Sequence, residues 1–526
     1  MTMRTIPVVL LMAMLFPGCM TGPDYQKPDH KLPEKWNAQL EGGEKAEAAQ
    51  LAEWWKGFGD STLDSLVTRA TEANFDLRIA ETRILEARAG LQMTEGGLWP
   101  QVNASGSYRR SQSQKAASPK GSASAAFSVS GTGIGVTATG VTPEGDVVSV
   151  SPDLTGGGNS RVNFSPGSGK HVPGRQSDLF QAGFDASWEL DLFGGTRRAV
   201  EAAKADIEAA LENYRDVQVT LIAEVARNYF NLRRVQSSLD ITNNNIRIQK
   251  ETLDLVRSRF QAGLTSELDV KTAEAQLAST TAAVPALETA ISQYIHRLGG
   301  LLGREPGALQ DELSPIAELP KAPPEVPVGL PSDLARRRPD IRRAERELAA
   351  ATARIGVATA DLFPKFSLTG SIAGRGSHLG SIVQGSNNLW SIGPGIQWPI
   401  FDAGRIRANI KIQNARQEQA FTVYEKTVMG TLEEVENALI AYAKEQNRFV
   451  SVTAAVEAQR RALEIARELY SKGLVNFLSV LDAERSLFAA EDQCAQSKAA
   501  ILTNLVSLYK ALGGGWVEAE ESTPSG

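Results

Sequence analysis

Apolar and polar residues alternate one by one from Phe180 to Leu192: Phe180, Ala182, Phe184, Ala186, Trp188, Leu190 and Leu192 against Gln181, Gly183, Asp185, Ser187, Glu189 and Asp191. Period two without a break predicts a strand with two unlike faces. The rhythm returns at Trp390, Ile392, Pro394, Ile396, Trp398 and Ile400. It returns again at Phe366, Leu368, Gly370 and Ile372, and more weakly from Val102 to Tyr108. Four strands are therefore predicted, at about 100–110, 178–193, 364–374 and 388–401. Each holds about ten residues, enough to cross a bilayer when tilted. Trp188, Trp390 and Trp398 suit the interfaces.

After Phe193 and Phe401 the period changes. From Thr196 to Ala262 there is no proline, and apolar residues recur every seventh position: Val225, Leu232, Leu239, Ile246, Leu253 and Phe260. Val428, Val435, Tyr442, Phe449, Val456, Leu463 and Tyr470 form the matching series, and Val270 to Leu298 and Val480 to Leu508 return with the same period. A sustained heptad predicts long helices packed as coiled coils. The first would extend roughly 100 Å at 1.5 Å per residue. They would fold into antiparallel pairs around Gly263 and Gly473.

The chain is also written twice. RSRFQAGLTSELDVKTAEAQL (257–277) aligns with RELYSKGLVNFLSVLDAERSL (467–487), and LWPQVNASGS (98–107) with LFPKFSLTGS (362–371). The second offset is larger by roughly fifty residues, an excess that lies in a Gly/Ser/Thr-rich stretch read as a long loop over 111–177. The organisation predicted is a first repeat over 61–303, a proline-rich connector over 304–331, a second repeat over 332–515 and a tail over 516–526. Four strands leave two open edges, which lipid does not tolerate, so several chains must pool their strands. Two chains would supply eight and three would supply twelve; spacing alone leaves the number open.

Composition narrows the function. The net charge of −6 is spread over mixed signs, which gives no nucleic-acid footprint. His30, His171, His296 and His378 lie far apart, so no histidine-based metal or catalytic site is expected. GSGK (167–170) lacks the other features of a phosphate loop. Residues 1–18 read as a secretory signal, with Arg4 before a short apolar run, and Cys19 follows as a candidate for acylation. Residues 19–60 would then form a lipidated N-terminal segment. Cys494 falls on a heptad seam and reads as a packed apolar residue.

The stretches GCMTGPDYQKP (18–28), LARRRPDIRRAERELAAATARIGVATADLFPKFSLTGSI (334–372), WPIFDAGRIRANI (398–410), GLVNFLSVLDAERSLFAAE (473–491) and LYKALGGGW (508–516) resemble the TolC/OprM/NodT-type outer-membrane factors. The likeness is to the lipoprotein branch that serves resistance-nodulation-division efflux pumps, and it spans nearly the whole chain. It implies a mixed α and β, TolC-like fold: a homotrimer with a twelve-stranded β-barrel, four strands per chain, continuous with a periplasmic α-helical barrel. It implies no enzyme and no cofactor beyond lipid on Cys19. The expected role is a passive multidrug duct in the outer membrane, joined to a periplasmic adaptor and an inner-membrane pump.

The resemblance also suggests site residues. Leu478 and Asp482 match inward rings at the periplasmic mouth, and Asp269 matches an acidic tip residue of the first hairpin. The family's other tip acid is replaced by Ser479. Gly263-Leu264 and Gly473-Leu474 are expected at the turns offered to the adaptor. Two other readings remain at this point: a duct for type I secretion or metal efflux, and a trimeric surface stalk of the adhesin kind.

Overall fold

The computed structural model describes residues 20–29, 33–38, 44–45, 51–113, 124–130, 133–141, 147–149, 175–323, 326–382, 384 and 388–516. The signal-like segment, Cys19, His30, His171 and GSGK lie outside them. The chain forms two compact units. One contains Trp99–Leu190 and Phe366–Ile396, and the other contains the remainder.

The first unit holds an antiparallel sheet of β1 (Gln101–Ser113), β2 (Arg175–Leu190), β3 (Lys365–Gly376) and β4 (Asn388–Gln397), in that order. Its register makes one face continuous. Ala104 and Ile372 lie on either side of Phe184, Val102 and Gly370 flank Ala186, and Leu368 stands opposite Trp188. The Ser371 and Ser391 hydroxyls meet at 2.9 Å across β3 and β4 on the other face. Apolar residues that would be expensive to leave in water line the first face: Val102, Phe184, Ile372, Trp390, Ile392 and Ile396 are all exposed. That face is what a membrane strand offers to lipid.

The observed strands depart from the expected ones at their ends. β1 and β2 run three residues further towards their shared loop, to Ser113 and from Arg175. At the other end β2 stops at Leu190 and β4 at Gln397. Asp191 accepts from the backbone N–H of Arg197 at 2.8 Å, and Asp402 accepts from those of Gly404 and Ile406 at 2.9 and 2.7 Å. Both carboxylates turn the chain into a helix, so residues beyond Leu190 and Gln397 leave the ladder. The loop read over 111–177 is corrected as well. Strands Ser124–Ser130, Gly133–Val141 and Val147–Ser149 form a small antiparallel sheet within it, whose register pairs Phe127 with Val136 and Val129 with Ile134. Period two was present there, hidden by the low apolar content.

The second unit is helical: α1 (Ser61–Ala73), α2 (Phe75–Gly96), α3 (Gly195–Gln261), α4 (Glu267–Leu301), α5 (Pro339–Ala360), α6 (Arg405–Ser471) and α7 (Phe477–Ala511). Shifting α3 and α4 by 210 positions reproduces the bounds of α6 and α7; shifting α2 by 264 reproduces α5. Local chemistry starts and stops each helix. Asp60 and Asn74 cap α1 and α2 through their side-chain oxygens. Gly194 and Gly404 hold φ of 76° and 84° where strand gives way to helix, a region open to glycine without strain.

Most of the heptad seams are core, while Phe260, beside the first tip, is exposed. Val225, Leu232, Val435, Tyr442, Leu298 and Leu508 are buried in one large cluster, and Leu253, Val256, Val456, Leu463, Val480 and Leu487 form a second. Cys494 packs at the edge of the second cluster, its Sγ 3.9 Å from the Thr453 hydroxyl. The N-terminal segment touches both the connector and the C-terminal end of α7 and beyond. Glu44–Lys45 pairs in parallel with Val326–Pro327, Trp36 donates to the Gly329 carbonyl at 3.0 Å, and Gly515 donates to that of Leu51 at 2.9 Å. Trp54 stacks on Tyr509 with ring centres 5.0 Å apart.

Candidate functional site

The two hairpin tips are built alike. Gly263 (φ 74°) and Gly473 (φ 76°) end α3 and α6. The Leu264 N–H reaches back to the Arg259 carbonyl at 2.8 Å, and that of Leu474 to Leu469 at 2.9 Å. Gly263 and Gly473 donate to Phe260 and Tyr470 at 2.9 and 3.0 Å. This paired pattern is a Schellman stop, which needs a left-handed residue. Leu264 and Leu474 then stand exposed, as do Leu268 and Leu478 one turn on. Four leucines in water at two adjoining tips form a surface suited to an apolar partner.

The three residues expected at the mouth are not equivalent. Asp269 is half-buried and completes a capping box with Ser266; its carboxylate also accepts from the Thr265 hydroxyl. Its charge is turned into its own helix start. Asp482 is exposed. The cap of α7 belongs instead to Asn476, whose side-chain oxygen accepts from the Ser479 N–H at 3.2 Å. Leu478 lies between them in sequence and is 55% exposed. Leu478 and Asp482 are four residues apart on one helix and share a face.

Glycine at the tips matters for φ rather than space, since a Cβ at Gly263 would meet nothing within 4 Å. Gly263→Ala and Gly473→Ala should each cost about 1 kcal/mol from left-handed strain. Hydrogen exchange of the last turns of α3 and α6 should rise roughly fivefold at that cost. Unchanged protection would contradict the assignment, and Asn at the same sites should restore most of it.

Sequence reading missed the polar link between the hairpins. The Arg467 guanidinium meets Glu484 at 2.8 Å and the Thr252 hydroxyl at 2.9 Å, and Thr252 donates to Glu484 at 2.6 Å. Glu484 is 2% exposed at its side chain. The equivalent pair in the first repeat, Arg257 and Glu274 at 2.8 Å, stays open to solvent. Arg259 lies over the Tyr470 ring at 4.8 Å and donates to the Ser471 carbonyl at 3.1 Å. The matching Arg and Glu in the two copies were a visible signal, but the burial of one pair required the packing.

A second missed feature is the strap from Met20 to Asp29. Thr21 bonds to the Phe193 carbonyl through its N–H at 3.2 Å and its hydroxyl at 3.1 Å. The buried Arg198 donates to the Thr21 carbonyl and to Asp24, at 3.1 and 2.6 Å. Tyr25 donates to Glu345 at 3.2 Å, and Lys27 pairs with that carboxylate at 3.0 Å. Burial would push the Glu345 carboxyl up, but Lys27 and Arg346 together hold it below its ordinary value.

Among the described residues there is no group of three or more His, Cys, Asp or Glu placed to hold a metal, and no helix is long and apolar enough to span a membrane.

Comparison with known proteins agrees with this geometry. The family model described as outer membrane efflux protein matches residues 149–304 and 330–514. Nodulation protein T of Rhizobium leguminosarum bv. trifolii is 29% identical over 505 residues, 96% of either chain. Cation efflux system protein CusC of Escherichia coli O6:H1 is 31% identical, over 96% of this chain and 97% of that one. The solvent efflux pump outer membrane protein SrpC of Pseudomonas putida is 31% identical, over 98% and 99%. Among solved structures, the outer-membrane channel OprN superposes with a TM-score of 0.79 at 36% identity, over 95% of this chain and all of that one. A CusC structure gives 0.75 at 29%, over 94% and 100%.

Proposed function

Because the chain belongs to the outer membrane efflux protein family, we propose that it is the passive outer-membrane duct of a tripartite efflux pump, working as a homotrimer. The observation that carries this reading is the four-stranded sheet, apolar across one face and without a strand partner on the outer side of β1 or β4 among the described residues. In lipid those edges would leave backbone groups unsatisfied, so sister chains must pair with them. Three copies supply twelve strands, an even number within the range of bacterial barrels.

The internal repeat supports the same assembly. α5 packs against α6 of its own repeat and α3 of the other; α2 packs against α3 of its own repeat. By the repeat, α2 needs a second neighbour equivalent to α6, which only another protomer can supply. Leu85 on α2 is 57% exposed, whereas its counterpart on α5, Ala349, is 8% exposed. Ile412 and Val423 on α6 are exposed in the same way. The open Arg257–Glu274 pair is covered in this arrangement, as Arg467–Glu484 already is. The two-hairpin build also distinguishes the chain from a surface stalk.

In this reading the hairpin tips form the periplasmic mouth, narrowed by Leu478 and Asp482, and the exposed leucines at the turns dock a periplasmic adaptor. A resistance-nodulation-division pump supplies the energy. Cys19 carries the lipid, next to Met20, which packs against Gly194. Cys19→Ser should abolish acylation, seen as loss of the lipid mass from the intact protein, while trimers persist because the strap holds independently. Wild-type protein without a lipid mass would remove the lipoprotein assignment. The duct itself is tested by reconstituting purified protein in planar bilayers. Single-channel steps from a heat-resistant trimer are expected; a folded, silent monomer would overturn the proposal.

A further inference from the structure

The inner side of the sheet carries a segregated charge pattern. Period two places Arg109, Gln181, Asp185, Glu189, Ser371 and Arg375 on the face opposite the apolar one. Arg109 pairs in register with Leu179 and Arg375 with Gln181, so the two arginines stand on the strands flanking β2, two residues apart in height. Both side chains are exposed, and Arg375 touches Gln181 at 3.3 Å. They lie near the end of the sheet that carries the connecting loops. Asp185 and Glu189 lie four and eight residues further along β2, roughly 13 and 26 Å away at about 3.3 Å per residue. At about 0.1 M salt the Debye length is about 10 Å, so these carboxylates do not cancel the arginines. The neighbouring Arg110 differs: it is on the apolar side and pairs with Asp178 at 3.5 Å.

We propose that Arg109 and Arg375 form an anion-binding girdle inside the duct, at the end facing the exterior, that takes multivalent oxyanions and favours anions there. The inference rests on the reading of the sheet as one third of a closed barrel with its polar face inward. Three protomers would then bring six guanidinium groups into one ring. A guanidinium offers a planar fork of donors suited to phosphate and sulfate oxygens, and six of them on two rows only two residues apart reinforce one another where water is confined. No other ring of uncompensated charge is available at that level from the described strands, since Ser107, Gln181 and Ala373 are neutral. The acidic positions nearer the helices give the wall opposite signs at its two ends, an arrangement expected to pass current unequally in the two directions.

The probe is inositol hexakisphosphate, used on wild-type trimer and on R109Q/R375Q. In planar bilayers at low salt, the probe should block wild-type channels from the loop side only. The double variant should weaken the block about tenfold or more and lower the anion-to-cation permeability ratio about two- to threefold. R109K/R375K should keep the permeability ratio and lose part of the block, because it keeps charge but not the fork. Calorimetric titration of the trimer in detergent separates the two layers of the argument. If channels form and block and binding are the same in wild type and R109Q/R375Q, the girdle is overturned. If the variant loses binding in detergent but neither protein conducts, the girdle stands and the duct reading fails.

Discussion

Truncating Leu478 and Asp482 together should raise the single-channel conductance of the reconstituted protein several-fold. Both side chains are exposed on one face at the start of α7, clear of the seam formed by Val480 and Leu487. A helix does not expose a leucine there for its own packing; Val480 and Leu481 beside it already serve the core. In the proposed trimer, three copies of Leu478 around an axis would make a dry constriction, and three Asp482 carboxylates would make a ring that repels itself and gathers cations. Alanine removes both without touching the cap, which Asn476 supplies. Asp269→Ala is the contrasting variant. It removes a capping box and should cost about 1 kcal/mol at the start of α4 while leaving conductance near the wild-type value. Unchanged conductance in the double variant, or a large increase from Asp269→Ala alone, would show that the constriction lies elsewhere.

Gly356→Val should expel the N-terminal strap. A Cβ at Gly356 would lie 2.7 Å from the Thr21 carbonyl oxygen and 2.8 Å from Arg198 Cγ, and Gly22 approaches the same point from the strap side. Backbone on one side and a buried arginine on the other leave little room to adjust. Losing the Thr21, Asp24, Tyr25 and Lys27 contacts should cost on the order of 3 kcal/mol. Limited proteolysis with chymotrypsin should then cut after Tyr25, a site that resists in the wild type, and the melting temperature should fall. Thr21→Ala, which removes only a hydroxyl, should cost about 1 kcal/mol. A protected strap in Gly356→Val would contradict the seat assigned to it. The acid limit of the strap follows from Glu345. Its folded pKa is depressed, so its contribution is present above the ordinary glutamate value and is lost as pH falls through the lower folded value. The Glu345 part of the grip is therefore expected to survive mild acid.

Much of the fold could be read from periodicity because two strong, different periods are each tied to a burial pattern. The strand faces follow Phe180 to Leu190, and the seams follow Val225, Leu232 and Val435. The tips were legible too, because Gly263 and Gly473 recur at matched positions and glycine has one dominant use at a helix end. What escaped depends on contacts distant in sequence. Nothing local marks Gly356 as the seat of Gly22, 334 residues away, or Glu484 as the partner of Thr252. The small sheet within 111–177 escaped because Gly, Ser and Thr dilute its alternation. Asp269 shows a different limit. An aspartate three residues after Ser266 is as much a cap as a gate acid, and here it completes the capping box.

The two hairpins have arms of 67 and 35 residues in both copies, with turns of the same kind. Their reach is thus matched to the residue, and the rim they present is level. Such a rim can be lengthened or shortened in evolution only by paired events. In the proposed trimer, a heptad removed from α3 and α4 alone would leave three short teeth alternating with three long ones, and any partner seated on all six would lose half its footing.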